Sequence, residues 1–315
     1  MLPNLYDVHH HFLPAEYVSV LADRGITGGD GVPFPQWNPE LDLEIMERNR
    51  IVKAYLSLSS PGVNFVGDKL AVHLAQIVND EAGRLIAEFP NNFGAFATLP
   101  LPNIPASLQE AVRALDDLKL NGFALLTNYN GIYLGDPQFN DLMVELNQRA
   151  AVVFIHPTSP FRTSINLPYP APIVEFPFET TRTAMNLVFS GTLKKFPAVK
   201  FILAHAGGTI PFLAGRIAAT SLILRDGAKK APRGAPYYLK RLYYDTALST
   251  DPAVLRNLRE FAPLTQILYG SDFPYVPEPL LQDFNNRLDS SAVFSEEEMS
   301  LICSENARNL LSGSP

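Results

Sequence analysis

Eight short apolar, β-rich runs recur along this chain, at residues 5–9, 51–58, 92–98, 122–127, 151–156, 199–205, 242–246 and 265–272. Helical patterns separate them; between residues 68 and 88, Leu70, Leu74, Ile77 and Leu85 recur at near-helical spacing. Asp136-Pro137 and Ser295-Glu296 read as helix starts. Eight strands alternating with helices over 315 residues predict a (β/α)₈ TIM barrel. A doubly wound sheet would carry a Gly-rich turn after its first strand. His9-His10-His11-Phe12-Leu13-Pro14 stands there instead. No composition shift, fixed repeat or low-complexity tract marks a linker, so residues 1–315 read as a single barrel domain. The 27 prolines gather at strand ends and in loops, which suits long loops over the top of a barrel. Residues 25–36, rich in Gly and Pro, look like one such excursion.

Composition removes several function classes. Hydrophobic residues make up 47% and charged residues 18%, enough apolar sequence for a large core. The net charge of 25 − 32 = −7, with no basic cluster, argues against nucleic acid or an anionic membrane as partner. No apolar run is long enough for a membrane span, and the first residues do not read as a signal peptide. A single cysteine, Cys303, excludes an internal disulfide framework and points to the cytoplasm. Its place in a late helical stretch reads as a buried inert thiol.

The six histidines carry the chemistry. His9 and His11, two apart at the end of the first run, share one face of a strand, while His10 faces the other way. Alone, such a pair is as readily a solvated strand end as a metal site. His156 and His205 close the fifth and sixth runs and Asp272 closes the eighth, each on the rim where barrel enzymes build active sites. Four strands ending in a potential ligand on one rim favour a metal. The fourth run ends Leu125-Leu126-Thr127-Asn128, with no Lys, Glu or Cys to bridge two ions. One metal per chain is therefore expected, Zn²⁺ with an open position or Mn²⁺ as a harder alternative. Asp245, closing the seventh run, either orients a neighbouring imidazole or caps its strand. His73, inside a helical pattern, reads as structural.

Taken together, Asp7–Pro14, His156-Pro157, His205-Ala206-Gly207-Gly208 and Gly270–Tyr275 resemble the amidohydrolase superfamily. More narrowly they resemble its decarboxylase branch, typified by 2-amino-3-carboxymuconate-6-semialdehyde decarboxylase. Residues 176–181, 191–196 and 211–216 extend the similarity over essentially the whole chain, and the segments Glu175–Arg182 and Ser190–Arg216 look most like the 6-methylsalicylate decarboxylases. The resemblance implies a metal-dependent barrel, often a homodimer, with His9, His11, His156 and Asp272 as ligands and His205 as acid/base. The family's carboxylate-clamping arginine follows a Trp-Asp-Pro-Glu stretch; the matching Trp37-Asn38-Pro39-Glu40-Leu41-Asp42 puts Asp42 in its place. A second family arginine, donated by the partner subunit, is approximated by Arg225.

These readings predict non-oxidative decarboxylation of an ortho-hydroxybenzoate, with carboxylate and phenolate oxygens on the metal and Asp272 or His205 delivering a proton to the ring. The expected substrate is a small aromatic acid, 6-methylsalicylate, giving 3-methylphenol and CO₂. Its expected pocket wall is Phe12, Leu13, Trp37, Phe273 and Phe161, with Asp42 repelling a second carboxylate. Metal-assisted hydrolysis of an amide or lactone is the alternative, and a non-catalytic metal scaffold a third.

Overall fold

The computed structural model describes residues 2–161, 168–221 and 223–311. Its strands β1 (Leu5–His11), β2 (Ile51–Ser57), β3 (Phe93–Thr98), β4 (Gly122–Leu126), β5 (Val152–His156), β6 (Lys200–Leu203), β7 (Tyr243–Asp245) and β8 (Ile267–Leu268) form one sheet in chain order. Every neighbouring pair is parallel. The first and last strands meet at a seam: Val8 N donates to Tyr269 O (3.1 Å), Asp272 N to His9 O (2.8 Å) and His11 N to Phe273 O (2.7 Å). The expected barrel is thus present, with helices around it. Only the strand ends differ from expectation. β1 runs two residues further, to His11, and β8 is cut to two, the expected start being taken up by the short helical turn Leu264–Gln266.

Alternation along the strands fills the barrel. Val8, Tyr55, Phe96, Phe154, Ile202 and Leu268 form an interior cluster closed by Ala307, Leu310 and Leu311 of the helix Asn306–Leu311. A larger core lies between the strands and the outer helices, where Leu74, Val78 and Leu85 of the helix Asp68–Glu88 are buried. Ser295 forms a capping box with Glu298, and Asp136 caps the short turn Pro137–Phe139, so both expected helix starts are present. Cys303 is buried and free, and His73 is exposed on its helix. Among the described residues no helix is long and apolar enough to cross a membrane.

The excursion at 25–36 contains an antiparallel hairpin pairing Gly28 with Pro33 and Gly29 with Val32. Its two-residue turn, Asp30-Gly31, has φ of 50° and 84°, the positive pair that tight hairpins need and that Asp-Gly supplies cheaply.

Asn79 shows how a helix is fastened to a strand end. Its Oδ1 accepts from Thr98 N (2.8 Å), and its Nδ2 donates to Thr98 O (2.9 Å) and Glu110 Oε1 (2.6 Å), all buried. Asn79→Ala removes the partners of Thr98 N and O, while Glu110 keeps Arg113, and should cost about 2–4 kcal/mol. Urea unfolding should show a lower midpoint at unchanged slope; an unshifted midpoint would refute this reading.

Candidate metal centre

The site begins with an irregularity in β1. Asp7 pairs with Ala54 and His10 with Leu56, so β1 carries one extra residue over this span. Such a bulge re-aims side chains. Val8 joins the barrel interior, and the His9 ring also turns inward, edge-on to Phe154 at 4.8 Å. His11 follows on the same side, and His10 points away.

His9, His11, His156 and Asp272 converge, each offering a ligand atom, all within 4.8 Å of one another and all four residues buried. Their hydrogen bonds decide which atoms are free. His9 Nδ1 lies 2.7 Å from Asp245 Oδ2, and His11 Nδ1 lies 3.1 Å from the Ser57 carbonyl, so both Nδ1 atoms carry protons in the neutral rings. The two Nε2 atoms then face each other at 3.1 Å, and Asp272 Oδ1 sits 3.2 and 3.1 Å from them. His156 Nδ1 is buried without a partner. Lone pairs this close repel unless positive charge lies among them. The residues present therefore fit a divalent metal ion.

The electrostatics agree. Burial works against a charged His9, but Asp245 and Asp272 outweigh it and raise its pKa to about 10. The cluster draws positive charge, as a proton on His9 or as a cation on its Nε2. Burial holds His156 well below its usual value, and lowers His11 against the pull of Asp272, so both stay neutral and able to ligate. Burial would raise Asp272, yet His9, His11 and His205 keep it well below the usual carboxylate range. Asp245 is fixed in turn: its Oδ1 accepts from His205 N (2.8 Å) and Ala247 N (3.1 Å). Gly270 makes room, because a Cβ there would stand 2.8 Å from His9 Cβ and 3.1 Å from Asp245 Cβ.

His205 completes the group. Its Nε2 lies 3.3 Å from Asp272 Oδ2, the oxygen not facing His9 and His11. His205 and Asp272 both adopt left-handed backbone, with φ of 56° and 61°, and Ala206 follows at 55°. Non-glycine residues held there cost about 1 kcal/mol or more each and cluster at functional sites. Both side chains line a cavity of about 470 Å³ with His156, Phe176, Tyr275, Val32, Ile173 and Leu248. Phe176 stacks over His205 with centroids 6.5 Å apart, and Tyr275 stands edge-on to His11 at 5.5 Å. Burial pushes the Tyr275 phenol upward, with Asp272 and Asp30 adding to the shift.

The expected aromatic wall lies elsewhere. Phe12, Leu13 and Phe273 are buried, Trp37 is half-buried and Phe161 is 48% exposed; none of the five lines this cavity. Phe12 packs edge-on to Trp37, and Phe273 lies on the His10 ring. Asp42 does not line the cavity either. It is fully buried, with Oδ1 2.9 Å from His10 Nε2 and Oδ2 accepting from Trp37 Nε1 at 2.8 Å, while Asp7 Oδ2 takes His10 Nδ1 at 2.9 Å. The segment turned away because His10 points outward from the barrel, and a buried imidazole between two carboxylates is the lower-energy use of Asp42. Phe176 and Tyr275 supply the wall instead. Both stood within the quoted motifs, but nothing in their spacing marked them as facing the metal cluster. Arg225 is exposed and outside the cavity lining.

Comparison with known proteins agrees with this geometry. The sequence pattern of the amidohydrolase family matches residues 6–312. A crystal structure described as an amidohydrolase II superposes with a TM-score of 0.91 at 31% identity, covering 98% of this chain and 99% of that one. The chain belongs to the amidohydrolase family. It is 38% identical over 291 residues to a 6-methylsalicylic acid decarboxylase of Penicillium expansum, covering 90% of this chain and 89% of that protein. It is 39% identical over 321 residues to the decarboxylase yanB of Aspergillus niger, covering 96% and 86%. Within the family it is a decarboxylase, a carboxy-lyase.

Asp245 should act on the metal through His9. Asp245→Asn is expected to weaken metal binding by about 10–100-fold, the usual effect of losing a carboxylate behind a ligating imidazole. Competition against a chromogenic chelator measures it, and wild-type affinity in the variant would remove Asp245 from the site.

Proposed function

We propose that this protein catalyses the non-oxidative decarboxylation of an ortho-hydroxybenzoate, converting 6-methylsalicylate to 3-methylphenol and CO₂. The observation that carries the reading is the His9–His11–His156–Asp272 cluster opening, beside His205, onto a largely apolar cavity. The relatedness to a 6-methylsalicylic acid decarboxylase narrows the ring substituent. A metal ion, Zn²⁺ or the harder Mn²⁺, would be held one per chain by His9, His11, His156 and Asp272 Oδ1. When bound it supplies Lewis acidity that draws charge from the substrate's carboxylate and neighbouring oxygen.

The chain's own groups do the rest. Phe176 and Tyr275 flank the ligand set and orient a flat ring. His205 Nε2 and Asp272 Oδ2 hold a proton between them. Transfer of that proton to the ring carbon bearing the carboxylate interrupts aromaticity. The carbon–carboxylate bond then breaks, its electron pair returns to the ring, and CO₂ departs. Solvent reprotonates the pair for the next turnover. The single barrel domain would work in the cytoplasm as a homodimer, in keeping with its one buried free thiol.

A monocarboxylate follows from the lining, where no lysine or arginine stands among the described residues. Asp42 has no part in this, being held by His10 and Trp37 away from the cavity. A second carboxylate would enter without a countercharge, which is unfavourable in a partly desolvated site. Kinetics on 6-methylsalicylate and on 2-amino-3-carboxymuconate-6-semialdehyde should favour the first clearly; preference for the second rejects the substrate reading. Ring deuteration with CO₂ release in D₂O separates this chemistry from amide or lactone hydrolysis.

The roles divide between ligands and proton carrier. His11→Ala and Asp272→Ala should lower metal content, whereas His205→Ala should keep the metal and lose roughly 10²–10⁴-fold in turnover. Elemental analysis beside initial rates reads both, and loss of metal in His205→Ala would make that residue a ligand.

A further inference from the structure

The hairpin at 28–33 has a second feature: it forms part of the cavity wall, through Gly29 and Val32, yet it stands outside the barrel. Its backbone passes so close to the loop after β2 that a Cβ on Gly29 would lie 2.5 Å from Ser60 O. Among the described residues, one side chain supplies all its hydrogen bonds to the rest of the protein. The Asp30 carboxylate accepts from Ser60 Oγ, from Thr158 Oγ1 (3.0 Å) and from Ser159 N (3.2 Å). Thr158 is itself tied to the end of β4, its N donating to Thr127 Oγ1 at 3.1 Å. Asp30 therefore joins the hairpin to the loops after β2 and β5. The second of those loops begins directly after His156.

Three donors on one carboxylate are more than an Asp-Gly turn requires. The turn is already satisfied by its positive φ pair, and the carboxylate leaves it to reach elements that are otherwise separate. Charge-assisted bonds of this kind are individually strong, and together they hold a short two-stranded element that is marginal alone. We infer that Asp30 is a positioning residue: it latches the hairpin against the cavity and so sets substrate affinity, leaving metal binding and proton transfer to the groups below. The inference rests on the substrate reading proposed above. If the closed hairpin is the binding-competent form, apparent affinity falls with the fraction closed while the chemistry of bound substrate is little changed.

The test uses the metal-loaded enzyme and the variants Asp30→Ala and Thr158→Val, the second a milder cut that keeps the fold if the first does not. Expected for Asp30→Ala are a rise in KM for 6-methylsalicylate of about tenfold, from loss of bonds to a charged group, and kcat within about threefold. Metal content should stay at one per chain, and amide hydrogen exchange over residues 28–33 should quicken. Thr158→Val should move KM and exchange the same way by less. Faster exchange with unchanged KM in both variants overturns the latch. So does a joint fall of kcat and metal content, which would mark Asp30 as a general structural prop. A wild type inactive on every hydroxybenzoate overturns the substrate reading and the latch with it.

Discussion

The seam between β1 and the segment after β8 is the contact on which the rest depends. A barrel must bring its first and last strands together, and here the closing bonds fall on the residues that carry the site. Asp272 N donates to His9 O, and His11 N to Phe273 O. Closing the sheet and assembling the ligand set are one event, so the cluster is preorganised by the fold. That arrangement also sets its cost. Imidazoles and carboxylates gathered in a dry interior are unfavourable unless each has a partner. Asp245, the Ser57 carbonyl and Asp272 supply partners for His9, His11 and His205 Nε2, while Nδ1 of His156 and of His205 has none among the described residues.

The charges are arranged in series. Asp245 faces the outer nitrogen of His9, Asp272 divides its two oxygens between the His9/His11 pair and His205, and the His205 amide returns to Asp245. The same carboxylate therefore steadies a ligand and the backbone of His205. The left-handed φ values of His205, Ala206 and Asp272 belong to this scheme. Ordinary strand geometry would not let the ends of β6 and β8 turn their side chains toward each other across the rim, and the hydrogen bonds at Asp245 help hold the strained conformers.

Much of this was legible in the sequence. Eight apolar runs with helical spacers were enough for the barrel, because strand and helix periods differ and the chain is the right length for eight repeats. Ligand-type residues at the ends of four runs marked the rim, since the C-terminal end of a barrel strand is where inward side chains meet the loops. Other features rest on tertiary detail. The bulge in β1 leaves no trace in the His9-His10-His11 triplet. Phe12, Trp37 and Phe273 are aromatic and close in sequence to the ligands, but proximity along a strand does not say which side a residue takes after the strand ends. The same gap explains Asp42, whose motif position suggested the pocket while its hydrogen bonds lie behind β1.

The Trp37–Asp42–His10–Asp7 chain has an evolutionary consequence. Asp42 is committed to a buried imidazole and an indole N–H. An arginine placed there by itself would set a guanidinium beside His10 and leave Trp37 without an acceptor, both at a buried position. Positions 10, 37 and 42 can change only as a set. A change of charge at position 42 is therefore hard to make one residue at a time.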